Sequence, residues 1–216
     1  MAAKSALLLG ATGLTGGCLL DLLLQSDEYD TVFIYIRKPT GIVHTKLRER
    51  IIDYDTITEA VEAEDVFCCL GTTIKKAKTQ EAFKKVDLIY PVSIAEIQFK
   101  AGSKRYMVVS AMGASVSSSI FYSRVKGEME SQLQQIGYSC LGIFRPSFIT
   151  GNRTEKRMGE SIGIILFSLI SPFLVGPLRK YRSVAASAIA KAMLHLANSG
   201  KTGNYILLSD QIKTFE

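Results

Sequence analysis

The 216-residue chain reads as one α/β domain, doubly wound around a seven-stranded, mainly parallel sheet. Three observations carry that expectation. Short apolar runs alternate with stretches of helical periodicity along the whole chain. The first apolar run stops at a glycine-rich loop. The length suits a single domain at ~150 residues per domain. With 47% hydrophobic and 21% charged residues the chain can bury a sizeable core, which excludes disordered, collagen-like and disulfide-scaffold classes.

The elements follow in order. Ser5–Leu9 (SALLL) is an apolar run of the kind a buried parallel strand needs, and Leu14–Leu24 then recurs at helical spacing. Thr31–Ile36 (TVFIYI), β-branched and aromatic, is the second strand, Ile51–Tyr54 the third and Asp65–Leu70 (DVFCCL) the fourth. Helices are expected at Gln80–Lys85 and Leu88–Ala101, with Asp87 placed to cap the second and Pro91 near its start, where a missing N–H costs least. Tyr106–Val109 is the fifth strand, Ser119–Ile136 a helix, Cys140–Phe144 the sixth strand, Val184–Asn198 a helix and Tyr205–Leu208 the seventh strand. No internal repeat, low-complexity tract or linker interrupts this series. Residues 152–182 read as a small insertion toward the C-terminal end that covers a pocket.

Charge and special residues narrow the class. The formal net charge of +6 suits an anionic ligand, a nucleic acid or a membrane surface, and alone selects none of them. Cys18, Cys68, Cys69 and Cys140 form no C-x-x-C pair and sit in apolar runs, as reduced packing residues of a cytoplasmic protein do. Two histidines are too few for a His-based metal site, and His195 among Met193, Leu194 and Leu196 on a helix reads as a satisfied or half-exposed histidine rather than a catalytic one. The N-terminus turns glycine-rich within ten residues, so no signal peptide is expected. Ser161–Leu178 holds 18 residues without a charge, at the lower limit for a membrane span. Gly163, Pro172 and Gly176 interrupt it and basic residues flank both sides, which favours a cover over an apolar pocket or contact with a membrane surface over a span. Lys75, Lys76, Lys78, Lys84 and Lys85 read as a solvated face; only Phe83 is interleaved with them, where nucleic-acid binding wants several aromatic residues for stacking.

The loop Gly10-Ala11-Thr12-Gly13-Leu14-Thr15-Gly16 lies between the first strand and the first helix. Glycines there permit a tight turn, close backbone approach to a pyrophosphate and close packing of helix on strand. The helix N-terminus beyond supplies N–H groups and the positive end of a dipole. The second strand ends in Arg37, 21 residues after Gly16. NAD sites carry an acid about 20 residues on; a guanidinium instead matches a 2′-phosphate, and Lys38 adds charge, so NADP(H) is the expected cofactor.

Tyr122 and Lys126 are four apart on one helix face. An ammonium nearby lowers the pKa of a phenol from its unperturbed ~10 and suits it to proton transfer near neutrality. Ser110 ends the fifth strand, at the sheet edge where ligands collect, and could hold a substrate carbonyl. Ser115 and Ser117 lie close by, and Ser110 has the plainer reading of a hydroxyl that satisfies a strand end.

With its glycine loop, Ser110, Tyr122 and Lys126, the chain resembles a short-chain dehydrogenase/reductase, a Rossmann-fold family. CCLGTT (68–73), VSAMGA (109–114), YSRVKGEME (122–130) and FRPSFITGNR (144–153) are similar to its atypical subgroup of Tat-interacting oxidoreductase-like proteins. The resemblance covers about residues 5–160. It implies that Gly10, Thr12, Gly13, Leu14 and Thr15 contact the pyrophosphate, Arg37 the 2′-phosphate, and Asp53 lies beside the adenine. Leu70, Gly71 and Thr72 would line the ribose and nicotinamide side, Tyr122 and Lys126 the nicotinamide ribose, and Pro146, Phe148 and Ile149 would flank the nicotinamide. One departure stands out: many members carry an asparagine in the helix after the fourth strand, and here asparagine occurs only at 152, 198 and 204. Water or Ser93 would substitute, or turnover would be slow or absent.

The expected function is NADPH-dependent reduction of a small or lipophilic carbonyl, with Ser110, Tyr122 and Lys126 catalytic. The rival is an NADPH-binding sensor with little turnover. A nucleotide-sugar epimerase is a third reading, for which the chain is short and its 161–178 segment too apolar. No metal, nucleic-acid partner or membrane span is expected; a homodimer is compatible with the reading.

Overall fold

The computed structural model describes residues 3–151 and 182–216; the expected cover at 152–182 and the membrane-surface segment at 161–178 fall outside the described residues, apart from Arg182. Seven strands form the main sheet in the order β3-β2-β1-β4-β5-β6-β9 and every pairing is parallel. They are β1 (Lys4–Leu9), β2 (Tyr29–Ile36), β3 (Leu47–Ile51), β4 (Asp65–Cys68), β5 (Arg105–Val109), β6 (Cys140–Arg145) and β9 (Gly203–Leu208). A separate parallel pair, β7 (Ile149–Thr150) with β8 (Val184–Ala185), has no counterpart in the sequence reading.

The alternation of side chains along each strand explains why both faces are covered. Ala6 and Leu8 of β1 point to the face where α1 (Leu14–Gln25) and α6 (Ala186–Asn198) pack, through Leu19, Leu20 and Leu23 against Ile189, Ala192 and Met193. Leu7 and Leu9 point to the other face, where α4 (Tyr90–Lys100) and α5 (Phe121–Ile136) contribute Val92, Ala95, Val125, Met129 and Leu133. Strands buried on both faces read as continuous apolar runs, and β1 and β4 to β6 were legible for that reason.

Two expectations need correction. The third strand is Leu47–Ile51, not Ile51–Tyr54. It is a sheet edge with only Leu47 buried, so its Arg48-Glu49-Arg50 centre carries no apolar signal. The second concerns the helices after β4. Following a short α2 (Ile74–Ala77), α3 (Gln80–Lys84) runs into α4 without a break through a π turn at Lys85–Ile89. Asp87 therefore caps nothing; it is buried inside that turn. Tyr90 N–H donates to Lys85 C=O, the five-residue step of a π turn, and Pro91 follows in the first turn of α4. A last helix, α7 (Ser209–Lys213), closes the described chain.

The lower edge of the sheet, where the strands begin, holds a buried polar cluster. Asp65 is fully buried, with Lys4 at 3.1 Å, Arg105 at 2.7 Å and the Tyr29 hydroxyl donating to it at 2.7 Å. The cysteines are unpaired. His195 is exposed, with its ring tilted against that of Phe215 at 5.2 Å between centroids.

Candidate active site at the upper edge of the sheet

β1 lies between β2 and β4, so the chain winds outward in both directions from that point and leaves a crevice above the strand ends. The glycine loop sits there. Gly10 has φ +79°, and a Cβ on it would meet the Cys69 carbonyl oxygen at 2.7 Å. A Cβ on Gly16 would meet the Gly10 carbonyl oxygen at 2.0 Å, so α1 can start this close to β1 only with glycine at 16. Gly13 is the N-cap of α1 with no side-chain cap, and the first turn contains no acid. Its N–H groups and dipole thus face the crevice without an internal anion, and Thr12, Leu14 and Thr15 stand around them. The shape and the donor set fit a dinucleotide pyrophosphate.

Arg37 and Lys38 follow β2 and are both exposed. Asp53 makes a local turn, its side chain accepting Asp55 N–H at 3.0 Å and its carbonyl accepting Thr56 and Ile57 N–H. Beside it Tyr54 and Tyr90 stack with ring centroids 5.2 Å apart, and Asp55 takes Lys85 Nζ at 2.8 Å and the Tyr90 hydroxyl at 3.0 Å. That pair holds the Asp55 carboxyl below the ordinary carboxylate value.

On the other side of the crevice α5 presents Tyr122 and Lys126. Tyr122 is half-buried, its ring 5.6 Å from that of Phe83. Lys126 is 3% exposed and its Nζ lies 2.8 Å from Asp87 Oδ1. Burial opposes its charge, but Asp87 and then Tyr122 outweigh that and hold Lys126 above the ordinary lysine value. The other oxygen of Asp87 accepts Thr72 N–H at 2.9 Å, and a Cβ on Gly71 would come within 3.5 Å of Oδ1. Leu70, Gly71 and Thr72 thus form one wall, pinned by the carboxylate that also holds the lysine. α5 itself is fixed by Gly127, whose missing side chain lets the loop after β5 lie on the helix: a Cβ would meet the Ser115 carbonyl carbon at 2.2 Å.

Ser110 is buried, and its hydroxyl donates to Glu130, which in turn receives Arg145 Nε at 3.0 Å. To donate to a carbonyl, Ser110 must first give up Glu130. Pro146, Phe148 and Ile149 follow β6 at the same edge; Pro146 C=O accepts Met112 N–H at 2.9 Å, Phe148 is 48% exposed and Ile149 begins β7.

Sequence reading missed Asp87 and Glu130. Asp87 looked like a cap because it precedes an apolar helical stretch. Glu130 sits on the buried side of α5, two turns beyond Tyr122, a position that marks it as a partnered acid once the helix is recognised. Among the described residues no group of His, Cys, Asp or Glu could hold a metal, and no helix is long and apolar enough to cross a membrane.

The fold is that of a Rossmann-like α/β protein, doubly wound, with a glycine-rich loop where the strand order reverses. No family model matches the chain. The rat protein HTATIP2 is 32% identical over 216 residues, spanning 96% of this chain and 87% of its own length. The Candida albicans protein FMP52, named as mitochondrial, is 28% identical over 209 residues, 92% of this chain and 90% of its own. The chain belongs to the HTATIP2 family. Among solved structures, MoeE5 in complex with UDP-glucose and NAD superposes with a TM-score of 0.71 at 15% identity, covering 94% of this chain and 75% of that one. The human epimerase family protein SDR39U1 with NADPH gives 0.65 at 16% identity, covering 94% of this chain and 74% of that one.

Proposed function

We propose that the protein is an NADPH-dependent reductase of small or lipophilic carbonyl compounds. The observation that carries the reading is the placement of an uncapped, acid-free helix N-terminus and a Tyr122–Lys126 pair on the two sides of one crevice. Gly10, Thr12, Gly13, Leu14 and Thr15 would hold the pyrophosphate, Arg37 and Lys38 the 2′-phosphate, and Asp53 the adenosine side. Leu70, Gly71, Thr72, Pro146, Phe148 and Ile149 would enclose the nicotinamide end. SDR39U1 is seen with NADPH and MoeE5 with NAD; the exposed Arg37, where NAD sites place an acid, supports NADPH here.

When bound, NADPH supplies a hydride to the carbonyl carbon. Tyr122 delivers its phenolic proton to the carbonyl oxygen, giving the alcohol, and Lys126 holds the nicotinamide ribose and steadies the phenolate. Ser110 reaches the carbonyl only by turning from Glu130. Its part is read from Ser110→Ala: a loss of about tenfold or more in kcat/KM assigns it to the substrate, an unchanged value to the Glu130–Arg145 anchor. A lipophilic substrate is supported by Val116, Ile120 and Phe148, which are 55%, 65% and 48% exposed on loops at the upper edge.

Calorimetric titration with NADPH and, separately, NADH tests the cofactor half of the reading. Tight NADPH binding with much weaker NADH binding is expected, and binding of neither refutes it. The second reading, an NADPH sensor with little turnover, is favoured by one observation: the two groups expected to assist Tyr122 are already engaged, Lys126 by Asp87 and Ser110 by Glu130. Turnover on the order of 1–10³ s⁻¹ on any carbonyl rules it out. The cytoplasmic location and the homodimer remain parts of the proposal, read from fractionation of the tagged chain and from sedimentation; the mitochondrial name of FMP52 makes the first worth doing.

A further inference from the structure

Asp87 is a carboxylate out of reach of water, 1% exposed, and a fold keeps such a group only where other charges or donors compensate it. Here one oxygen faces Lys126 Nζ at 2.8 Å and the other takes Thr72 N–H at 2.9 Å. The π turn is what aims it. A regular helix through residues 80–100 would carry one residue fewer in that turn and rotate Asp87 by about 100°, away from α5. The chain thus accepts an irregular turn to bring one carboxylate between the wall at Thr72 and the lysine at 126.

We propose that Asp87 is the positioning residue of this site, and that its charge, by neutralising the Lys126 ammonium, keeps Tyr122 protonated to higher pH than the lysine alone would. The proposal rests on the Tyr122–Lys126 reading above. Among the described residues, the groups coupled to the Tyr122–Lys126 pair are the following. Lys126 lies one turn along its own helix and Asp87 comes from the π turn. From β4, the Cys68 thiol feels both, and Tyr106 from β5 donates its hydroxyl to the Pro91 carbonyl at 2.8 Å; burial raises the pKa of each, so neither adds charge near neutrality. Phe83 contributes only its ring. A lone ammonium favours phenolate, whereas an ammonium clamped by a carboxylate is a dipole whose effect falls off much faster. The consequence is directional. A site that keeps its tyrosine protonated near neutrality is set to give a proton, as carbonyl reduction requires, rather than to take one from an alcohol.

The test is a titration of phenolate absorbance, taken as the difference between each protein and the same protein carrying Tyr122→Phe. Burial raises the pKa of Tyr29, Tyr54, Tyr106 and Tyr138, which clears much of the background. In Asp87→Asn the Tyr122 ionisation moves to lower pH by about one to two units, the size one charge gives over roughly 6–12 Å at an effective dielectric of ~20. Asp87→Glu, which keeps the charge, leaves it in place. A fall in Tm for Asp87→Asn with the ionisation unmoved means a purely structural aspartate and overturns the proposal. If Asp87→Asn does not fold, the wild type decides: Tyr122 ionising in the ordinary phenol range supports the proposal, and ionisation near neutrality overturns it. The titration uses no cofactor. Failure of NADPH to bind the wild type therefore removes the reductase reading separately, and the charge coupling is still judged on the phenol signal.

Discussion

The two edges of the sheet each bury an aspartate beside a lysine and near a tyrosine, and they use the same ingredients to opposite ends. At the lower edge Asp65 is shared by Lys4, Arg105 and the Tyr29 hydroxyl, and its two cations keep side-chain exposures of 15% and 22%. That cluster is over-supplied with donors and reaches solvent through both cations, so loss of one partner can be made good. At the upper edge Asp87 has, among the described residues, one cation, Lys126, whose side chain is only 4% exposed. No second cation among the described residues can replace it. The contrast teaches that a buried ion pair with spare partners ties strands together, whereas one with none leaves a charge balance that a single change upsets.

The contrast breaks most visibly at Lys126. Lys126→Met strands a buried carboxylate and should cost about 3–5 kcal/mol in denaturant unfolding, with loss of NADPH binding. Asp65→Ala leaves two cations that can turn to water, and a smaller loss of about 2 kcal/mol is expected, with NADPH affinity unchanged. If Asp65→Ala costs more than Lys126→Met, the distinction drawn between the two edges is wrong. Tyr122→Phe sharpens the comparison from the other direction. It removes one hydroxyl from a half-buried ring, so stability should move by less than about 1 kcal/mol while carbonyl reduction falls by ~10²–10⁴.

The smallest effect belongs to Asp55, an exposed acid in the turn after Asp53, paired with Lys85 and Tyr90. Its pKa is lowered on folding, so its contribution is present above the unfolded value of ~3.9 and disappears as pH falls through the folded value. Asp55→Asn should shift Tm slightly and equally at pH 7 and pH 5, and not at all well below pH 4. A difference that grows between pH 7 and pH 5 contradicts that sign.

How much of this was legible depended on the range of the interactions. The glycine loop and the Tyr122–Lys126 spacing are local patterns, each contained within one turn or one helix, and the structure puts both at the upper edge. The interior strands showed as apolar runs because both of their faces are covered; β3, covered on one side only, was displaced by several residues for the opposite reason. Ser110 was correctly placed at the end of β5, but its partner Glu130 lies on a helix 20 residues later and had no local signature. The absence of an asparagine after the fourth strand was visible in the sequence; the group found at that end of the helix, Asp87, was not, because it looked like a cap.

The sequence by itself determined the doubly wound class, the glycine loop after β1 and the face of α5 that carries Tyr122 and Lys126, since each is set by residue spacing against a helical or strand period. Only the tertiary structure decided the electrostatics. The π turn rotates Asp87 toward α5, and it is the packing of α5 against that turn, through Phe83 and the buried face around Val125 and Met129, that closes the ion pair. No local pattern encodes the meeting of Asp87 with Lys126, because the charge on either residue acquires its meaning only from the burial that the other elements impose.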